Sequence, residues 1–480
     1  MAFKHGVTII EQPTSVLAPV TATSGIPFVV GTAPVNLASV PAVNTPVLAH
    51  TYAEAVAALG YSEDWASYTL SEFLNSHFSL YQMAPVILVN VLDPAVHKKA
   101  VAASTVPVLS RIATVHDVGV LLSSLVVKSA DGTTTYAAGT DYIAAFDEDG
   151  HVLITTLAAG TIPANAPELS VAYDKLDPKA VGAADIIGGV NVSGTYTGFE
   201  LINQAFPRFG VLPDLLLAPG WSHFSEVAAV MKAKAGNING NFKAMALTDL
   251  DAAQPYTDAG AWKSDNNYTG TLQIATYPKL TLGEKQYHYS TQLAGLIART
   301  DSENGGIPFV SPSNKSLQAD GTVLADGTPL HLGIDQAGYL NSQGIMTAVN
   351  LGASGWRSWG NNTGAYPGNT DPKDSFIPVR RMFNWIGNSL ILTYMQKVDS
   401  PMNIRLIEAV TDSINIWLNG LTSTGALLGG RVEFLASENP TTDLMAGKIT
   451  FHLFITPPGP AQEINFVLEY DASYLAALAA

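Results

Sequence analysis

The residues able to do chemistry are few, and their spacing suits none of the common reactions. No cysteine occurs, which removes disulfides, thiolate metal sites, iron–sulfur clusters and a cysteine nucleophile. The ten histidines are scattered, with no HExxH and no pair at ligand spacing, so each reads as a packed or surface imidazole. A phosphate-cradling loop needs GxxxxGK[ST], but Gly447-Lys448 is followed by Ile449 and no glycine stands five positions before. No GxGxxG follows a strand. GASG at Gly352–Gly355 brings its second glycine one position too early for a GxSxG nucleophile elbow. Asp147-Glu148-Asp149-Gly150 looks like the start of a calcium loop but lacks the later bidentate glutamate, so a hairpin tip is the better account. Asp249 and Asp251 are a pair that chance supplies among 40 acids. A hydrolase with an unmarked triad is the enzyme alternative, and no pattern argues for it. The expectation is a protein without catalytic residues, cofactor or metal.

Composition points the same way. The 480 residues carry 24 Lys+Arg against 40 Asp+Glu, a net charge of −16, which disfavours nucleic-acid binding because phosphate contacts need a basic patch. Apolar residues make up 47%, which argues against disorder. Charged residues make up only 13%, about half the usual share. Much of what would face solvent in a monomer is therefore expected to be covered by something else. The opening MAFKHGVTIIEQPT is not a signal peptide, since Glu11 and Gln12 stop its apolar run. The longest apolar stretch, Ala84–Leu92, spans less than half a bilayer. No membrane insertion is expected, and synthesis in a cytosol is.

These features sit on a chain with several textures. Residues 1–20 read as an arm, a short strand Val7–Glu11 followed by Pro13 and Pro19. Residues 21–95, in β-α-α-β order, suggest a small α/β layer with helices at Tyr52–Leu59 and Ser67–Phe78. From 96 to 180, β-type runs from Val126 to Tyr173 are punctuated by Asp131-Gly132, Ala138-Gly139 and Asp149-Gly150, an inserted small all-β domain. Residues 181–360 return to strand–helix–strand order, which suggests a largely parallel sheet, with Ser222 expected to cap a helix ending at Gly236. Residues 361–461 carry two helices, Phe376–Lys397 and one expected to start at Ser400-Pro401. Three strands are expected after them: Arg431–Leu435, Ile449–Thr456 and Glu463–Tyr470. In the last, Ile464, Phe466, Leu468 and Tyr470 share one face, within a C-terminal arm at 462–480.

Five stretches, in order, resemble the contractile-tail sheath proteins of bacteriophages, a group that includes the R-type pyocin sheaths. FKHGVTIIEQPT is similar to the family's start, "hGv…e". LAGLIARTDSENGGIPFVSPSNKSLQADG is similar to "G…ArtD…rGvw.aPsNk.i.G", through Gly295, Arg299, Asp301, Asn314 and Lys315 among others. VNLGASGWRSWGNNT resembles "vN…g.r.WG.rT" through Asn350, Gly355, Trp359, Gly360 and Thr363, with Asn362 where the family usually has arginine. FIPVRRMFNWI matches "fi.VrR" through Val379, Arg380 and Arg381, and SENPTTDLMAGKITFHLFITPPGPAQEINFVLEY resembles the family's end.

The resemblance implies an α/β plus β multidomain fold. Its middle domain would be subtilisin-like in layout, without protease activity, and its C-terminal domain would be α+β with terminal strand arms. It also implies a homopolymer of stacked hexameric rings around an inner tail tube, with baseplate and tail terminator proteins as further partners and no direct contact with nucleic acid. The setting would be the virion tail, assembled in the host cytoplasm, and the role contraction that drives the tube through an envelope. A tailocin, without genome delivery, is the variant of that role. Arms exchanged between subunits would be Val7, Thr8, Ile9, Ile10 and Glu11 at one end, and Ile464, Phe466, Leu468 and Tyr470 at the other. Arg405, Glu408 and Asp412, on the polar side of a C-terminal helix, are candidates to face the tube. Arg299, Asp301, Asn314, Trp359, Arg380 and Arg381 would be structural, with the charged members in fold-defining ion pairs.

Overall fold

The computed structural model describes residues 19–478, so the N-terminal arm expected at Val7–Glu11 lies outside the described residues. Along the chain come β1 (Pro27–Gly31), β2 (Val47–Ala49) and β3 (Val86–Asn90). Seven strands follow: β4 (Lys98–Leu109), β5 (Ile112–Val115), β6 (Val126–Ser129), β7 (Thr135–Tyr136), β8 (Tyr142–Phe146), β9 (Val152–Thr156) and β10 (Glu168–Leu176). A minor pair, β11 (Gly189–Val190) and β12 (Tyr196–Thr197), precedes β13 (Leu215–Leu217), β14 (Met245–Asp249) and β15 (Gln273–Thr276). A small trio, β16 (Lys279–Leu282), β17 (Lys285–Tyr287) and β18 (Gly321–Val323), leads to β19 (Ile345–Asn350) and β20 (Trp356–Trp359). The last two are β21 (Gly429–Glu433) and β22 (His452–Thr456).

Compact apolar runs build the main sheet, which has eight strands in the order β2-β3-β1-β13-β14-β15-β19-β20. Its six inner strands are parallel, and β2 and β20 add antiparallel edges. Every residue of β1, β3, β13, β14 and β15 is buried, the condition of a parallel sheet covered on both faces. The segment 21–95 is therefore not a separate layer. Its strands pair directly with those of 181–360, through Pro27–Leu215 and the two residues after each.

Helix Tyr289–Glu303 packs under this sheet so tightly that most of its length is buried. Gly295 lets it do so, because a Cβ there would meet the Tyr81 ring at 2.5 Å. Gly295→Ala raises helix propensity, yet overpacking against a ring that is itself tied to Gln292 should win. A net loss of about 1–3 kcal/mol, read by urea denaturation, is the expected outcome, and a stabilised variant would contradict this packing.

Residues 98–176 form a seven-stranded antiparallel sheet in the order β7-β6-β10-β4-β5-β9-β8. One bridge between Ala138 and Tyr142 brings its end strands together and nearly closes it into a barrel. Val127, Ile154, Leu169 and Val171 fill its core. The Asp-Gly tips are turns, with Gly132 and Gly150 at φ +76° and +81°, where only glycine is unstrained. The long β4 was not expected from sequence. KKAVAASTVPVL buries almost no side chains and holds its place through backbone pairing to β10 and β5.

In the C-terminal part, helices Ile377–Tyr394 and Ile404–Ser423 pack through Trp385 and Trp417, whose rings lie 5.7 Å apart. Both expected caps are corrected. Asn403, not Ser400, caps the second helix, its side chain accepting from the Leu406 N–H at 3.0 Å. Ser222 lies before helix Ser225–Gly236 rather than at its cap, because its hydroxyl is turned to Asp249.

Candidate subunit interface

In an α/β protein the C-terminal ends of parallel strands are where chemistry sits. Here those ends carry Asp249, whose carboxylate accepts from the hydroxyls of Ser222 (3.0 Å), Thr276 (2.9 Å) and Ser290 (2.5 Å) and from the Ser290 N–H (2.9 Å). His288 is close by, its Nδ1 2.7 Å from Glu72. Among the described residues, no serine hydroxyl is hydrogen-bonded to an imidazole. The serines donate to a carboxylate and the imidazole is held by another, so this cluster holds no activated nucleophile. The cluster is a satisfied structural network.

It does carry a pH signature. Burial pulls the His288 pKa down, but the Glu72 charge and hydrogen bond, helped by Asp249, outweigh it and leave the pKa raised. A raised histidine pKa stabilises the fold fully below the unfolded value of 6.5, and that contribution is lost as pH rises through the folded value. The melting deficit of His288→Gln should therefore be largest near pH ~6 and shrink on the alkaline side. A deficit constant with pH would mean that His288 is uncharged in the fold.

The C-terminus presents a different surface. Only β21 and β22 pair, from Gly429–Thr456 to Glu433–His452. The third strand expected at Glu463–Tyr470 does not join them: from Ala461 on the chain is exposed and joins no sheet among the described residues. Ile464, Phe466, Leu468 and Tyr470 stand 69%, 86%, 94% and 77% exposed. Between Pro457 and Tyr470 no backbone hydrogen bond to the rest of the subunit is made among the described residues. Such a run of exposed apolar side chains on unpaired backbone is unfavourable in water and suited to sheet addition.

A receiving edge lies nearby. Asn415 closes the outer edge of β21, accepting from the Val432 N–H at 2.9 Å and donating to its carbonyl at 3.3 Å. The outer edge of β22 has no such partner among the described residues. Beside it runs an apolar groove of about 680 Å³, lined by Leu390, Tyr394, Leu406, Val410, Phe451 and Leu453 among others.

The other sequence candidates divide between surface and core. Arg405, Glu408 and Asp412 are exposed on helix Ile404–Ser423, opposite its buried Val410, Ile414 and Leu418. Arg299 makes an exposed pair with Glu303 at 3.1 Å. Arg380 pairs with Asp374 at 3.1 Å, half-hidden. Arg381 and Asp301 come together in the core, with NH1 to Oδ1 at 2.9 Å and NH2 to Oδ2 at 2.5 Å. Asp214 completes that cluster at 2.7 Å, and sequence reasoning missed it because nothing local marks a lone aspartate before a strand.

Asn314 adopts φ +56° and donates its N–H to the Ser358 carbonyl at 2.6 Å. With Lys315, Trp359 and Asn362 it lines a polar cavity of about 560 Å³ that Pro460–Gln462 also touch. Among the described residues, the buried Asn362 Oδ1 has no partner. Among the described residues, no helix is long and apolar enough to cross a membrane.

Comparison with known proteins accords with an assembling subunit. No family model matches the chain. It is 32% identical over 487 residues to a tail sheath protein of Burkholderia phage BcepMu, covering 99% of this chain and 98% of that one. It is 24% identical to the tail sheath protein of Escherichia phage P2, over 62% of this chain and 72% of that one. In structure it is similar to the contracted sheath of the extracellular contractile injection system PVC, with TM-score 0.58, 13% identity and 98% and 99% of the two chains covered. The contracted helical sheath of the anti-feeding prophage matches with TM-score 0.58, 14% identity, and 98% and 100% covered. With near-complete coverage of a 32%-identical sheath protein and a sheath-like mixed α/β fold, the chain belongs to the phage tail sheath family and is a structural, non-enzymatic subunit of a contractile tail sheath.

Proposed function

We propose that the subunit polymerises as stacked hexameric rings around an inner tail tube, and that contraction of this polymer drives the tube through the target envelope, allowing genome ejection. The observations that carry the assembly step are the exposed, unpaired segment Ile464–Tyr470 and an outer β22 edge that is open among the described residues. Each subunit offers a segment that its own fold leaves alone, and an edge that none of its described residues fills. A neighbouring copy's arm would supply four to six backbone hydrogen bonds, each worth about 1 kcal/mol net. Val7, Thr8, Ile9, Ile10 and Glu11 would extend the exchange to a further copy. One such link is weak, but repetition along a tube makes it strong.

Contraction then needs only two packings of the same rigid bodies, joined by arms that reorient. Pro457, Pro458 and Pro460 precede the C-terminal arm and restrict its exit to a semi-rigid hinge. The eight-stranded body would be the subtilisin-like middle domain, interrupted by the β domain at 96–180. Arg405, Glu408 and Asp412 would contact the tube, since they are exposed and no ion pair occupies them among the described residues. Baseplate and terminator proteins would meet the two ends, and the place of the product is the virion tail, assembled in the host cytoplasm.

Electron microscopy of the purified chain tests this. Tubes of one diameter are expected, and discrete monomers at high concentration would defeat the proposal.

A further inference from the structure

The hairpin tip between β8 and β9 lacks the glutamate a calcium loop needs, yet folding gathers a different donor set there. Donor atoms of Asp147, Asp149 and His151 all lie within 4.8 Å of one another. The Asp147 carboxylate is oriented by the backbone, since its Oδ1 accepts from the N–H of Asp149 at 3.0 Å and of His151 at 2.8 Å. That leaves Oδ2 facing the imidazole, 3.3 Å from His151 Nδ1. Two ligands on a tetrahedral ion with bonds of ~2.1 Å sit about 3.4 Å apart, so this pair already has the spacing of one tetrahedral edge.

A second imidazole arrives from another part of the chain. His116, just beyond β5, places its ring 5.2 Å from that of His151 at an angle of 73°. Two imidazoles sharing one tetrahedral zinc have ring centres roughly 5 Å apart. His116 is exposed, so turning its ring toward the ion costs little.

We propose that Asp147, Asp149 and His151, with His116 as fourth donor, form a zinc-class divalent cation site on the inserted β domain. Two carboxylates with two imidazoles suit a borderline transition ion, whereas calcium takes six to eight oxygens and magnesium keeps an octahedral oxygen shell. The bound ion ties the loop after β5 to the β8–β9 tip, pinning the rim of the nearly closed sheet.

The test uses the full chain, stripped with a chelator and titrated calorimetrically with zinc chloride, then with cobalt(II) followed by visible absorption. One zinc per chain is expected at this site, with the visible bands of a four-coordinate cobalt ion. H151Q and D149N should each lower the affinity by at least about tenfold, since losing a ligand costs no less than losing a group that orients one. H116Q should weaken binding and change the cobalt spectrum. Because these side chains lie on a loop, the metal-free melting temperature of the variants should match the parent chain, which separates ligand loss from misfolding. No saturable uptake, or uptake that H151Q and D149N leave unchanged, overturns the proposal and leaves Asp147–His151 as a simple ion pair closing the hairpin.

Discussion

Ending the chain after Gln462 is expected to abolish tube formation while leaving the subunit's melting temperature unchanged. The removed segment makes no backbone hydrogen bond to its own subunit up to Tyr470, and its apolar side chains are exposed among the described residues. Its loss therefore takes almost nothing from the isolated fold. In the polymer the same residues would bury Ile464, Phe466 and Leu468, each worth about 1.5–3 kcal/mol if fully covered. Part of that gain is spent on ordering the arm, so a few kcal/mol per contact is what remains to be lost. Every subunit carries the contact, and a polymer amplifies it into presence or absence. F466D with L468D should act in the same direction with the backbone intact, by placing charge on the face that must be buried. Sedimentation, microscopy and a melting curve decide the matter. Tubes from the truncated chain, or a large drop in its melting temperature, would refute strand exchange by this arm.

The largest effect on stability is expected at Arg381. Its guanidinium is 2% exposed, grips Asp301 with two bonds and reaches Asp214 with a third. Ser24 also donates to Asp301, and the Ile26 N–H donates to Asp214 at 2.9 Å. One buried cation therefore joins the N-terminal segment, the approach to β13, helix Tyr289–Glu303 and helix Ile377–Tyr394. Burial raises the Asp214 pKa, Arg381 opposes that, and the Asp301 charge adds to the rise, so the pKa remains above its usual value.

R381M would leave two buried carboxylates without their counter-charge, and breaking a buried pair in this way costs about 3–5 kcal/mol. The Asp214 pKa, already raised, then rises further because the opposing Arg381 charge is gone. Because the folded state of the variant binds protons more readily than its unfolded state, its stability should recover as pH falls. Adding D301N and D214N should restore part of the loss at neutral pH, because the penalty lies in the uncompensated charge. Urea denaturation across pH measures both effects. A variant within ~1 kcal/mol of the parent chain, with the same pH profile, would show the cluster to be energetically idle.

Local patterns were legible wherever the cause of the structure was itself local. Helix Tyr52–Leu59 and the Asp131-Gly132 and Asp149-Gly150 turns sit where periodicity and turn chemistry place them. β4 was not legible, because its alanines, serines and threonines bury little and its pairing partner β10 lies some 60 residues on. The two cap corrections share one cause: several polar residues stand near each helix start, and only packing decides which one turns inward. The Asp301–Arg381 contact spans 80 residues. Resemblance singled out both residues, but only folding made them partners and added Asp214.

By itself the sequence determined that no cysteine is available and that no P-loop, GxGxxG or HExxH spacing occurs in it. It also determined an alternating apolar pattern near the C-terminus and a charge content too low for an ordinary free surface. Tertiary structure decided that this segment does not pair with β21 or β22 of its own chain. Alternation specifies a strand's two faces but not the identity of its neighbour, which depends on where a free edge lies within reach. β21 is closed by Asn415, β22 is open, and Glu463–Tyr470 runs out past both without pairing. The same held for the main sheet, where β1 found β13 across nearly 190 residues. Backbone hydrogen bonds carry no sequence label, so only the packed fold could choose among edges that were locally equivalent.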